Sequence, residues 1–204
     1  MQSAAIPLFG ASATATLGYA AVSTLVARRK TSHEDGQARR EILKHASKRA
    51  RTLAEATGHI GKWYTLVPLA LLGAGALARK RRYAAAATIA TASIAAAAIS
   101  PVLDRVMKFR APPPGKERTK QSFPSGHALE TTTVSVAAAW ALAREGIVPG
   151  WVIAPVAIAA SAISGLGRLV LDRHWSTDSA AGYCAGLALG CACAGAYELA
   201  SRRL

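Results

Sequence analysis

Long uncharged runs alternate with short charged segments along this chain. A helix rises about 1.5 Å per residue, so roughly 20 apolar residues cross a hydrocarbon core of about 30 Å. The chain has six such apolar runs, and Glu130 is the only charged residue inside them. Run 1–27 is the least certain membrane crossing, because it is rich in Ala, Ser, Thr and Gly. We therefore predict an all-α, integral-membrane bundle of five to six transmembrane helices. The runs cover residues 1–27, 63–78, 83–103, 121–143, 146–167 and 179–197.

The composition agrees with a membrane protein and excludes a disordered chain. Of the 204 residues, 51% are hydrophobic and only 18% are charged. A water-soluble helix bundle is the alternative, but several uncharged stretches of this length are hard to cover with so little remaining chain. Three cysteines lie in the last run, and we expect them to pack as small hydrophobic residues: Cys184, Cys191 and Cys193. The sequence contains no cluster of Cys and His residues that would indicate a metal site.

The excess of positive charge, 25 Lys and Arg against 11 Asp and Glu, lies between the apolar runs, with a concentration in residues 28–62. Apolar residues recur there every three or four positions, which predicts a basic amphipathic helix resting on anionic headgroups. A solvated charged helix is the other interpretation. No aromatic residues interleave the charges, so we exclude nucleic acid as a partner. We divide the chain into an N-terminal region, 1–62, and a transmembrane domain, 63–204.

The first stretch with candidate chemistry is Ser-Phe-Pro-Ser-Gly-His at 122–127, where an apolar run begins. Ser125 can cap a helix there, and the helix N-terminus offers backbone N–H groups and a positive dipole to an anion. His127 follows within the first turn and can give a proton to a departing oxygen. Simple capping beside an interfacial histidine is the alternative for this stretch taken alone.

The second stretch, residues 167–178, lies between the fifth and sixth runs. Asp178 follows His174 by four residues, a spacing that can put both on one helix face. A carboxylate bonded to one ring nitrogen fixes the tautomer and leaves the other nitrogen free to attack. Arg168 offers a planar guanidinium matched to phosphate oxygens. Taken alone, a charged loop between helices could carry the same residues by chance.

Together the two stretches resemble the second and third signatures of the type 2 phosphatidic acid phosphatase (PAP2) superfamily. That superfamily includes undecaprenyl-diphosphate phosphatases and vanadium haloperoxidases. The resemblance rests on Pro-Ser-Gly-His at 124–127 and on Arg, five residues, His, three residues and Asp at 168–178, and it covers roughly residues 63–200. It implies a PAP2-like transmembrane phosphatase domain, in which we expect residues 127, 168 and 174 to surround one cavity.

The resemblance also implies roles for individual residues. His174 would be the nucleophile that forms a phosphohistidine, and Asp178 would orient it. His127 would be the general acid for the leaving group. Ser125, the Gly126 amide and Arg168 would hold the phosphate oxygens. Family members of this kind need no metal, and no cofactor is implied.

Two features depart from the family pattern. The third signature usually begins Ser-Arg, whereas Gly167 precedes Arg168 here, which removes one hydroxyl from the phosphate pocket. The first signature, Lys, six residues and Arg-Pro, is absent in that register from residues 104–114. Arg110 is the best substitute for its Arg, and Lys108 or Arg105 for its Lys. We therefore add Lys108 and Arg110 to the predicted phosphate-binding set.

Glu130 is an ionisable residue inside an apolar run, which makes it a functional candidate. It lies three residues beyond His127 and could hold that imidazole or contact a polar headgroup. The alternative, which we favour, is that position 130 is shallow enough in the membrane to meet water.

The segment 28–62 and the two motif-bearing loops must share one membrane side, because an even number of crossings separates them. The positive-inside rule favours a cytoplasmic active site, whereas the resemblance favours an extracytoplasmic one. We predict an extracytoplasmic site in the plasma membrane.

The function that these observations predict is a metal-independent membrane lipid phosphatase. Its partners would be a lipid phosphomonoester or an isoprenoid phosphate or diphosphate, and a bilayer with anionic headgroups. Two rivals remain: a non-catalytic membrane scaffold or transporter subunit of the same fold, and a vanadate-dependent haloperoxidase, which would be soluble and larger.

Overall fold

The computed structural model describes residues 4–107, 110–114 and 121–201, and all regular secondary structure in these ranges is α-helical. The predicted all-α fold is thereby confirmed. The helices are α1 (Ala5–Ala27), α2 (Ser32–His45), α3 (Lys48–Thr57), α4 (Trp63–Arg79), α5 (Tyr83–Val106), α6 (Gly126–Arg144), α7 (Gly150–Val170) and α8 (Ser176–Ala200).

Six of these helices coincide with the six apolar runs. Helices α1, α5, α7 and α8 are long and apolar enough to cross a membrane, and α4 is a shorter apolar helix of 17 residues. Large apolar side chains point outward from the bundle: Leu72, Trp151 and Ile158 are 71%, 80% and 69% exposed. Such a surface is expected to face lipid rather than water. Helix α1 occupies run 1–27, which the sequence marked as the weakest crossing.

Small residues bring α8 into backbone contact with α6. Gly182, Gly186 and Gly190 lie one turn apart on α8. A Cβ at each would be 2.5 to 3.1 Å from a carbonyl oxygen of α6 or of Ser125, the residue before it. No larger residue fits this seam without moving the helices apart, as is usual where small residues let membrane helices approach closely. The seam holds the first turn of α8 against the first turn of α6, where the two predicted signatures lie.

The basic segment between α1 and α4 forms two helices rather than the single amphipathic helix predicted from the sequence. The chain leaves the helical conformation at Ala46, and the Ser47 hydroxyl caps α3 by accepting from Ala50 N at 3.1 Å. Both helices pack on the bundle. In one of these contacts Arg39 of α2 forms a two-bond ion pair with Asp172, at 2.7 Å for each bond. Helices α2 and α3 therefore cover the end of the bundle that carries the signatures.

A separate polar cluster ties α5, α6 and α8 together at the opposite end. Arg82 bonds Glu145 at 2.6 Å, and Tyr197 donates to the same carboxylate at 2.9 Å. Arg144 contacts the buried Glu198 at 2.7 Å. The three native cysteines in α8 are free thiols.

Candidate active site

The first turn of α6 and the first turn of α8 are joined through their backbones. Ser125, the residue before α6, is fully buried, and its N–H donates to the Asp178 carbonyl at 3.0 Å. A Cβ at Gly126 would lie 2.7 Å from Ser100 Oγ and 3.6 Å from Glu130 Oε1, so this position has no room for a side chain. Gly126 is one of the residues that line the cavity beside it.

His127 is held by a backbone carbonyl from the N-terminal region. Its Nε2 contacts the Gly58 oxygen at 3.2 Å. Because a carbonyl oxygen only accepts, Nε2 is the nitrogen that carries the proton. His127 therefore presents a proton donor at the edge of the site.

Arg168 lies in the last turn of α7 and is 2% exposed. Its Nη2 donates to the Ala54 carbonyl of α3 at 3.0 Å. Gly58 leaves room for the same guanidinium, because a Cβ at position 58 would clash with Nη2. The carboxyl end of α3 thus fixes both Arg168 and His127.

His174 lies just before α8 and is oriented mainly by a carbonyl group. Its Nδ1 donates to the Ser122 oxygen at 2.8 Å, whereas the nearer Asp178 oxygen is 3.6 Å away. Asp178 is fully buried and accepts from the Trp175 N–H at 2.8 Å. The Ser122 carbonyl therefore fixes the tautomer that leaves Nε2 with a lone pair, and Asp178 supplies a nearby negative charge.

One cavity of about 810 Å³ collects the central residues of both signatures. As expected from the sequence, positions 127, 168 and 174 surround it together with Gly126. The volume is within the range of ligand-binding clefts. Three further ionisable residues that we did not assign to phosphate binding from the sequence also line the cavity. They are Lys62, Asp104 and Arg173, and they lie in loops or at the edges of apolar runs.

Three of the predicted site residues do not line the cavity. Ser125 and Asp178 are fully buried and are not among the residues that line it. Arg110 does not reach the cavity either, because two carboxylates draw its guanidinium away: it bonds Asp35 at 2.5 Å and Asp178 at 3.3 Å. Arg105 is exposed and outside the lining, and Lys108 lies outside the described residues.

Asp35 of α2 is the buried counter-charge of Arg110. Burial by itself raises the pKa of this carboxyl, but hydrogen bonds from Ser176, Arg110 and Thr177 outweigh it and hold the pKa below its ordinary value. The neighbouring Arg39 has a raised pKa because Asp172 bonds it. Helix α2 is thus attached through paired charges on both sides of His174.

Glu130 is buried, at 8% exposed, and faces the cavity beside Ser100. Glu130 thus lines the same cavity as His127, which lies three residues earlier in α6. Among the described residues, no group of three His, Cys, Asp or Glu side chains is arranged to hold a metal ion.

Comparison with known proteins agrees with this geometry. The model of the PAP2 superfamily matches residues 86–201, more than half of the chain. The chain belongs to the PAP2 superfamily. This confirms the resemblance drawn from residues 124–127 and 168–178.

A solved PAP2 structure has the same fold over nearly the whole chain. It is the crystal structure of a transmembrane PAP2-type phosphatidylglycerolphosphate phosphatase from Bacillus subtilis, with a TM-score of 0.81 and 17% identity. The alignment covers 95% of this chain and 97% of that one, so the likeness includes α1 to α3. The comparison with curated proteins gives no match.

The Gly167 departure from the PAP2 pattern lies where α7 meets α3. A Cβ at this position would be 3.5 Å from the Ala54 Cβ, an ordinary contact, so the packing alone does not require glycine. The other departure from the PAP2 pattern is in the first signature. Its substitute arginine, Arg110, bonds Asp35 instead of lining the cavity. Lys62 and Arg173, which lie outside that signature, do line the cavity. Sequence reasoning missed Lys62 because it precedes an apolar run and lies far from every PAP2 signature.

Proposed function

We propose that this protein is a metal-independent membrane lipid phosphatase that transfers a phosphoryl group first to His174 and then to water. The observation that carries the proposal is the Nδ1 hydrogen bond of His174 to a carbonyl, which leaves Nε2 with its lone pair. His174 shares its cavity with His127 and Arg168. A lone pair, a proton donor and a guanidinium are the groups that phosphoryl transfer to histidine needs.

In the first step, the His174 Nε2 lone pair forms a bond to phosphorus while the bond from phosphorus to the lipid oxygen breaks. His127 acts as an imidazolium: the leaving oxygen takes its Nε2 proton, and the ring becomes neutral because Nδ1 keeps its own proton. The imidazole ring becomes positively charged, and Asp178, 3.6 Å from Nδ1, stabilises that charge. Arg168 and the Gly126 N–H hold the equatorial phosphate oxygens, with Ser125 supporting the turn.

In the second step, water attacks the phosphohistidine. His127, now without its proton, takes one from this water, the N–P bond breaks, and inorganic phosphate leaves. Both histidines return to their starting protonation states. The cycle needs no group beyond the substrate, water and these side chains.

The substrate class follows from the position and charge of the cavity. It lies at the end of apolar helices, and the three cations Lys62, Arg168 and Arg173 outnumber the two carboxylic residues, Asp104 and Glu130, that also line it. A phosphate on a lipid tail can reach such a site from the bilayer. We include phosphatidate, phosphatidylglycerol phosphate and isoprenoid phosphates or diphosphates, since the structurally similar enzyme is a phosphatidylglycerolphosphate phosphatase.

The experiment is phosphate release by the purified protein in detergent, with a panel of these lipids and with a chelator present. We expect release from at least one lipid, an acid-labile phosphoryl label on the enzyme, and no activity in His174→Ala. His45→Ala is the matched control, because His45 is an exposed histidine of α2. Activity in His174→Ala would remove the nucleophile. No release from any lipid would favour the scaffold or transporter, and halide oxidation with vanadate and peroxide would favour the haloperoxidase.

We also propose that α2, α3 and the cavity face outward from the plasma membrane, with basic side chains of α2 and α3 on anionic headgroups. Glu41 is exposed on α2, and Lys80 lies in the loop at the opposite end of the bundle. In a variant with the three native cysteines replaced by alanine, a membrane-impermeant maleimide should label Glu41→Cys in intact cells and Lys80→Cys only after lysis. The reverse pattern would place the cavity in the cytoplasm.

A further inference from the structure

A buried carboxylate outside the PAP2 signatures lies next to the catalytic cluster. Asp35, in the first turn of α2, is 1% exposed. Its Oδ1 accepts from Thr177 N at 3.0 Å and from the Ser176 hydroxyl, and its Oδ2 accepts from the Thr177 hydroxyl and from Arg110. Asp35 does not line the cavity, so any effect on the reaction has to pass through these partners.

Arg110 is the partner that connects Asp35 to the reaction. Its Nη2 is 2.5 Å from Asp35 Oδ2, while its Nη1 is 3.3 Å from Asp178 Oδ1. The other Asp178 oxygen is 3.6 Å from His174 Nδ1. The guanidinium thus contacts two carboxylates, Asp35 more closely than Asp178, and its Nη1 also donates to the Thr177 hydroxyl at 2.5 Å.

Burial makes this sharing important. The Arg110 side chain is 12% exposed and both carboxylates are 0% exposed, so water screens their interactions poorly. Asp35 neutralises most of the Arg110 charge, and Asp178 therefore keeps its own charge for His174. If Asp35 lost its charge, Asp178 would become the remaining carboxylate within reach of Arg110 and would be drawn toward it.

We propose that Asp35 is a positioning residue for phosphoryl transfer, which holds Arg110 back from Asp178 so that Asp178 can stabilise the charge on His174. This inference rests on the proposed function. It adds a residue of the N-terminal region to those that act in phosphoryl transfer. The partner of this residue, Arg110, belongs to the segment in which the first PAP2 signature departs from its usual spacing. Asp35 also fixes the N-terminus of α8 by accepting from Thr177 N, which keeps His174 next to that helix start.

The test is a double-mutant cycle on the full-length protein in detergent. Asp35→Asn keeps the size of the side chain and removes its charge. We expect kcat to fall about tenfold, as for a small misplacement of a positioned group, with KM unchanged because Asp35 is outside the cavity. Adding Arg110→Met removes the group that draws Asp178 away. The double variant should recover kcat to within about threefold of wild type, which independent structural damage cannot produce.

Arg39→Gln is the matched control. It removes the other ion pair that attaches α2, to Asp172, without touching the Asp35 cluster, and kcat should stay within about twofold of wild type. A comparable loss in Arg39→Gln would show that the docking of α2, rather than the charge of Asp35, matters, and would overturn the proposal.

Wild-type kcat in Asp35→Asn, or a double variant slower than both single variants, would also overturn it. If Asp35→Asn does not fold, Asp35→Ser replaces it, because it also removes the charge that competes with Asp178 for Arg110. Reduced kcat with unchanged KM then supports the proposal, and wild-type kcat overturns it. A wild-type protein with no phosphatase activity would overturn the proposed function as well, whereas an active wild type isolates the outcome for Asp35.

Discussion

Replacing Gly58 by alanine tests whether Arg168 must stay where α3 holds it. Gly58 has ordinary right-handed backbone angles, φ −62° and ψ −25°, so alanine brings no backbone strain. A Cβ there would lie 3.1 Å from Arg168 Cζ and closer still to Nη2. Relaxed carbon contacts are about 3.5–4.0 Å, so the guanidinium has to retreat by about 1 Å.

The expected magnitude follows from that displacement. A misplacement of about 1 Å in a positioned group can cost on the order of 100-fold in rate. Because an arginine side chain is flexible, part of the shift is absorbed by its own torsions, and we expect kcat/KM to fall between about 10-fold and 100-fold. This corresponds to about 1.4–2.7 kcal/mol of lost transition-state stabilisation.

The assay is phosphate release from the best lipid of the panel, with thermal unfolding in the same detergent as a check on folding. Gly73→Ala and Gly75→Ala in α4 are matched controls, because a Cβ at either position meets nothing within 4 Å. Both should keep wild-type kcat/KM. A Gly58→Ala protein with wild-type kcat/KM would refute the requirement for Arg168 in its present position.

Three further changes test other parts of the structure. Lys62→Met should raise KM for a lipid phosphate about tenfold, as expected for a lost charged contact. Lys80→Met, at the opposite end of the bundle, should leave KM unchanged. A Lys62→Met protein with the wild-type KM would remove Lys62 from the phosphate site. Gly186→Ala puts a Cβ 2.7 Å from atoms of α6 and should destabilise the fold by about 1–3 kcal/mol in detergent unfolding, whereas Gly10→Ala, with open space around it, should not. Asp35 has a pKa below 3.8, so its stabilising effect is full above that pH and is lost as the pH falls through the folded-state value. The difference in unfolding temperature between wild type and Asp35→Asn should be constant from pH 8 to 5 and shrink below pH 3.8; a difference that grows on acidification would contradict this sign.

The features that the sequence predicted correctly depend on local patterns. Uncharged runs of helix length become helices because each run can satisfy its own backbone hydrogen bonds. His127 and Arg168 lie at helix ends that their own neighbouring residues define, at the start of α6 and the end of α7. Two helix ends on the same side of an antiparallel bundle meet in space, so the common cavity could also be predicted.

The features that we missed depend on partners far apart in the sequence or on backbone carbonyl groups, which residue types do not reveal. The carbonyls of Ser122 and Gly58 hold the two histidines, and any residue type could supply them. Arg110 was assigned to the phosphate because nothing local reveals that Asp35, 75 residues away, draws it elsewhere. The break at Ser47 was missed because the apolar spacing continues across it, although the serine itself was a visible capping signal.

The carboxyl end of α3 fixes the orientation of two donors that line the cavity. The family match begins at residue 86, yet the oxygens of Ala54 and Gly58 accept from Arg168 and His127, the two donors proposed to meet the phosphate and the leaving group. Carbonyls at a helix carboxyl end carry partial negative charge, so they are suitable partners for these donors. A phosphate oxygen carries a larger negative charge and forms stronger hydrogen bonds, so it can take over the same donors without requiring them to reorient far. In the proposed mechanism, α3 preorganises two donors whose final partner is the substrate.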